Sequence, residues 1–148
     1  MTKTAHRARS FALLAVLPLA VVLSGCSVID AAAHKMRSVS FDTATEVTDE
    51  WKGEATWLPS DATDIEIRES TINDTAVMLA ASDATLDPEL CVVVPRQSAP
   101  VYQLDGAPNV YKADEVFACG VWTVMAAEDG WLGWTPNHPD EAKQSPTR

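Results

Sequence analysis

The chain has 148 residues, with 11 Lys and Arg against 21 Asp and Glu, a formal net charge of −10 and three cysteines. That length supports a single modest core. The acidic balance excludes a nucleic-acid partner, whose phosphates need Lys and Arg to neutralise them, and a basic-patch grip on anionic lipid headgroups.

The first ten residues, "MTKTAHRARS", carry Lys3, Arg7 and Arg9 and no acid. "FALLAVLPLAVVL" (11–23) follows without a charge and with Pro18 inside it. This run is shorter than the about 20 apolar residues a membrane span needs, and proline disfavours a spanning helix. A basic start, a short apolar core and then small residues is the layout of a secretory signal peptide, assigned to residues 1–25. The run ends at Leu23-Ser24-Gly25-Cys26. These four residues resemble the bacterial lipobox, which implies that Cys26 receives a diacylglyceryl group and becomes the new N-terminus. A thiolate is the side-chain nucleophile suited to that attack. Two acyl chains, at about 0.8 kcal/mol per buried methylene, give a stable anchor where one would be marginal. Cleavage before Cys26 leaves 123 residues, with 8 basic against 21 acidic side chains and a charge of −13.

Residues 26–50 read as a membrane-proximal tether. "IDAAAHKMR" (29–37) holds only Ile29 and Met36 as large apolar anchors, too few and too short for a helix that stands alone. His34 within it reads as a solvated surface residue. A β-rich globular domain is expected over 51–136, and a polar C-terminal tail over 137–148.

From Trp51 onward short strand-like runs alternate with turn signals. Ile65-x-Ile67 follows Pro59, Ser60 and Asp61; "TAVMLAAS" (75–82), "ELCVVVP" (89–95), "PVYQL" (100–104), "NVYKADEVFACGVWTVMAA" (109–127) and "WLGWTP" (131–136) complete the series. Val, Ile, Trp and Thr are frequent in these runs, as strands prefer. "DATLDPEL" (83–90), with Asp83 as a cap, and "ADEVFAC" (113–119) are candidate helices, the first interrupted by Pro88. The fold class is a small β-rich domain, all-β or α+β, with an antiparallel sheet, a C-terminal hairpin and one disulfide.

Asp129-Gly130 is a two-residue hairpin signal. In that register Glu128 faces Trp131, Ala127 faces Leu132 and Met125 faces Trp134. One face carries Cys119, Val121, Thr123, Met125, Ala127, Leu132 and Trp134, and reads as core. The other carries Trp122, Val124, Ala126 and Trp131, and is either covered or exposed for binding.

With Cys26 assigned to lipid, Cys91 and Cys119 remain. Outside the cytoplasm an even pair reads as a disulfide, which should contribute about 3–4 kcal/mol by loop closure. No Gly-x-Ser-x-Gly elbow, P-loop or dinucleotide glycine pattern is present. Histidines lie only in the leader and the expected tether and tail, so no catalytic residue, metal ligand or cofactor is assigned. Asp61, Asp64 and Glu66 in "DATDIE" could hold calcium but lack the spacing of an EF-hand loop; a turn capped by Asp61 is the simpler reading. Trp122, Trp131 and Trp134 could stack on sugar rings or aromatic side chains, or fill the core. If the hairpin binds, Trp122 and Trp131 are the binding candidates, since Trp134 shares the face with Met125.

Leu23-Ser24-Gly25-Cys26, "WLPSDATDI" (57–65), Cys119-Gly120 and "GWLGWTP" (130–136) together resemble small secreted lipoproteins of high-GC Gram-positive bacteria. The resemblance implies attachment to the outer face of the cytoplasmic membrane and supplies no activity. Two functions remain open. One is a non-catalytic binding or accessory module, with the membrane reached through the N-terminal lipid and an envelope protein or cell-wall ligand as partner. The alternative is a small carboxylate-dependent cell-envelope hydrolase.

Overall fold

The computed structural model describes residues 35–146. The leader and Cys26 lie outside the described residues. Seven strands form one antiparallel sheet: β1 (Met36–Thr43), β2 (Thr63–Ser70), β3 (Ala76–Ala81), β4 (Val92–Pro95), β5 (Glu115–Cys119), β6 (Trp122–Ala127) and β7 (Gly130–Thr135). Their order is β1-β2-β3-β7-β6-β5-β4. The chain meanders through β1 to β3, crosses to the far edge, and meanders back until β7 closes on β3. Two short helices, α1 (Ala44–Glu50) and α2 (Pro139–Ala142), flank it.

Both faces of the sheet are covered, which follows from its pattern. Ile65 and Ile67 on β2, Met78 and Ala80 on β3, and Trp122 and Val124 on β6 point one way and pack with Ala44, Val47, Trp51, Trp57 and Leu86. Val77, Val94, Val116, Leu132 and Trp134 point the other way and pack under Leu104 and Val110. A strand buried on both faces reads as a continuous apolar run rather than an alternation, as "AVMLAA" of β3 does. The β3–β4 crossover brings Leu86 and Leu90 over the first face. The long β4–β5 connection lies over the second and reaches β2, where Arg68 Nη1 donates to the Gln103 carbonyl.

The Cys91–Cys119 disulfide is formed, with an S–S distance of 2.10 Å. It joins the residue before β4 to the last residue of β5, so it staples an edge that has only one neighbour.

The boundaries differ from expectation at both ends. The sheet begins at Met36, within the expected tether. β1 pairs with β2 from Met36↔Ser70 to Thr43↔Thr63. α1 follows at once, because Thr43 Oγ1 accepts from Glu46 N–H and the Glu46 carboxylate accepts from Asp42 N–H, a capping arrangement that satisfies free donors at a helix start. The expected polar tail, 137–148, carries α2, and its Glu141 is fully buried. "ADEVFAC" is strand β5 rather than helix. "DATLDPEL" forms turns in which Leu90 and Cys91 N–H both reach the Asp87 carbonyl. "PVYQL" lies in the β4–β5 connection and joins no strand.

The β6–β7 hairpin pairs Ala127 with Gly130, so Glu128 and Asp129 form the turn and Met125 faces Leu132. This is two residues from the expected register, and the shift preserves the two faces. Gly130 is needed inside the sheet, where a Cβ would run into the Ala80 carbonyl and Ser82 N. Cys119 changes face: the chain turns at Gly120, whose φ is +64°, and Cys119 pairs with Trp122 and joins its cluster.

Candidate functional site

A groove of about 780 Å³ lies at the end of the sheet where β1 begins. Its residues come from four places: the segment after α1 (Trp51, Lys52, Gly53, Glu54), the β2–β3 turn and its flanks (Glu69, Ser70 and Asn73 to Ala76), the β5–β6 turn (Val121, Trp122) and the end of β7 (Thr135, Pro136).

Local chemistry fixes each wall. Trp51 closes α1, its backbone N–H reaching the Val47 carbonyl at 3.1 Å. Its indole N–H donates to Glu69 Oε2 at 3.0 Å, and Glu69 Oε1 accepts from Arg37 Nε at 2.6 Å. Glu69 shares the β2 face of Ile65 and Ile67, so the period-2 rule places a carboxylate at the rim of an apolar face. The Trp122 ring lies 6.1 Å from Trp51 and 5.9 Å from Trp57, both tilted, the geometry aromatic quadrupoles favour. Trp122 Nε1 donates to the Glu54 carbonyl at 2.8 Å. The groove therefore has a floor of Trp51 and Trp122, whose N–H groups are spent on protein acceptors, and a rim of mixed charge: Lys52 beside Glu54, Glu69 and Asp74.

The two candidate binding tryptophans are on one face but at opposite ends of the hairpin. Trp122 is 3% exposed and forms floor and core together. Trp131 is half-buried, packs edge-on against Phe117 at 5.7 Å and donates its N–H to the Ala84 carbonyl at 3.0 Å. That face is covered, by α1, Trp57 and the crossover, so it offers no open tryptophan platform. Trp134, 1% exposed, is core as expected, and donates to Ser98 Oγ at 2.9 Å.

Asp61 does cap a turn, but the one after β3. It accepts from Ser82 Oγ at 2.6 Å and from the N–H groups of Asp83 and Ala84. The Ser82 hydroxyl, followed by those backbone donors, holds its carboxyl below the ordinary value against the cost of desolvation. Among the described residues no group of three or more His, Cys, Asp or Glu is placed to hold a metal ion.

The sequence reading missed Glu141. Its Oε1 accepts from the N–H groups of Gln97 and Ser98; its Oε2 accepts from Ser98 Oγ, Thr123 Oγ1 and His138 N–H. Burial pushes this carboxyl up, but the donors from Ser98, Gln97, Thr123 and His138 outweigh it and hold the carboxyl below its ordinary value. A carboxylate with both oxygens so occupied is a structural tie, joining the C-terminal segment to the β4–β5 connection and β6. His138, expected in a polar tail, is the N-cap of α2, its Nδ1 accepting from Asp140 N–H at 3.2 Å.

A smaller pocket of about 360 Å³ lies on the other face, under the β4–β5 connection, lined in part by Tyr102, Leu104 and Tyr111. The Arg96 guanidinium sits 5.4 Å from the Tyr111 ring centre. No helix among the described residues is long and apolar enough to cross a membrane. Comparison of the chain with protein-family models, with curated proteins and with solved structures finds no match.

Proposed function

We propose that this protein is a lipid-anchored, extracytoplasmic binding module of the cell envelope, held to the membrane through Cys26 and engaging a partner or cell-wall ligand with the groove beside Trp51 and Trp122. The anchor rests on the order of a basic start, an uncharged run and Leu23-Ser24-Gly25-Cys26.

Binding rather than catalysis is favoured by one observation. The ionisable and N–H groups best fixed around the groove are committed to each other: Glu69 to Arg37 and Trp51, and Trp122 to Glu54. A general acid or base must reach the proton it moves, and Glu69 is held by two donors instead. Such mutual pairing gives a rigid surface, which lowers the ordering cost of association.

Crosslinking and pull-down of the lipidated protein from intact membranes tests the reading, with Lys52→Glu at the groove and Asp129→Lys at the opposite end of the sheet. Both side chains are exposed, so both variants keep the fold. The crosslinked partner should be lost with the first and kept with the second. Turnover of a cell-wall substrate by the purified domain, abolished by neutralising one carboxylate, would overturn the binding reading in favour of a hydrolase.

A further inference from the structure

We infer that the end of the sheet carrying the β2–β3 and β5–β6 turns rests on the lipid bilayer, with Ile72 and Val121 as its contact residues. The inference rests on the proposed acylation of Cys26 and adds an orientation that acylation does not supply.

Three observations converge. First, the chain enters the fold at this end. Met36 pairs with Ser70, and the Thr71 N–H reaches the Lys35 carbonyl at 2.8 Å. Nine residues lie between Cys26 and Met36, ten steps of chain that reach at most about 35 Å fully extended. The far end of β1 stands a further ~26 Å away along an eight-residue strand.

Second, the two turns at this end each present an exposed apolar side chain. Ile72 is 67% and Val121 64% exposed. They sit on separate turns either side of the groove, so both can touch one plane.

Third, the charge is polarised along the strands. Asp42, Asp61, Asp64, Asp114, Glu128 and Asp129 are all exposed at the opposite end and outnumber its bases, Arg96 and Lys112. That end is where Thr43 pairs with Thr63, Ala81 with Gly130 and Pro95 with Glu115. The near end carries Lys35, Arg37 and Lys52 among its acids. An anionic membrane surface repels the acidic end over about a Debye length and favours the near end against it. The groove, being at the near end, then opens at headgroup level.

The full lipidated chain, reconstituted into phosphatidylglycerol–phosphatidylethanolamine vesicles with nitroxide-bearing headgroups, tests this. A fluorophore is placed in turn on Ile72→Cys, Val121→Cys and Asp129→Cys. Quenching should be several-fold stronger at 72 and 121 than at 129. Vesicle flotation is scored separately. A chain that floats but is quenched equally at all three positions overturns the orientation and leaves the anchor standing. A chain that does not float refutes the anchor, and the orientation with it.

Discussion

Replacing Glu141 by Gln keeps the shape of the side chain and removes one acceptor atom. The consequence can be worked oxygen by oxygen. If the amide nitrogen takes the Oε1 place, it faces two backbone donors, Gln97 N–H and Ser98 N–H. If it takes the Oε2 place, it faces His138 N–H and two hydroxyls, of Ser98 and Thr123, which can rotate. The second arrangement is the less costly, and still strands one backbone N–H. That costs about 1–3 kcal/mol, and losing the charge on the remaining bonds adds about 1–2 kcal/mol. The sum, ~2–5 kcal/mol, is a large part of the ~5–15 kcal/mol that holds a domain of this size folded. Urea unfolding of the soluble domain at neutral pH should show it as a lower midpoint with an unchanged slope. The pH dependence is a second signature. The folded carboxyl lies below its ordinary value, so its contribution is full above the unfolded-state pKa, about 4.3 for Glu, and is lost as pH falls through the folded value. The gap between wild type and Glu141→Gln should therefore close on acidification. A loss under about 1 kcal/mol, or a gap that stays constant into the acid range, would refute the account of Glu141 as a charged tie.

Three other outcomes are expected. Trp122→Phe gives up the bond to the Glu54 carbonyl, whereas the Trp57 indole N–H is buried without a partner; Trp122→Phe should cost about 1 kcal/mol more than Trp57→Phe, and equal midpoints in parallel denaturation curves would contradict this. Gly133→Ala places a methyl into the Trp57 ring and should destabilise by about 1–3 kcal/mol through overpacking, recoverable in part by Trp57→Phe in a double-mutant cycle. Changing Cys91 and Cys119 together to Ser opens a closure of 28 residues and should lower stability by about 3–4 kcal/mol; calorimetry showing no change would mean the staple is dispensable.

Much of the sheet was legible because strand periodicity is local. The faces of the hairpin followed from alternation alone, and they survived a register error of two residues because the side-chain period is two. The turn itself was misplaced because Asp129-Gly130 satisfies hairpin chemistry, while the requirement for glycine at 130 comes from the neighbouring strand β3, distant in sequence. β1 was hidden for a different reason. As an edge strand it alternates only Val39 and Phe41 against polar residues, and three of its eight side chains are half-buried. The helix after it did carry a signal, Thr43-x-x-Glu46, that the tether assignment passed over. Glu141 carried little: His138-Pro139 opens a helix, but nothing nearby shows that Gln97, Ser98 and Thr123 will meet the carboxylate. The groove was illegible too, since its four walls come together only when β7 inserts beside β3.

The most direct test of the proposed anchor is the intact mass of the N-terminal peptide of the protein extracted from native membranes. The account predicts a chain that begins at Cys26 and carries a diacylglyceryl group on its sulfur. A chain that keeps residues 1–25, or begins at another residue with Cys26 unmodified, would contradict it.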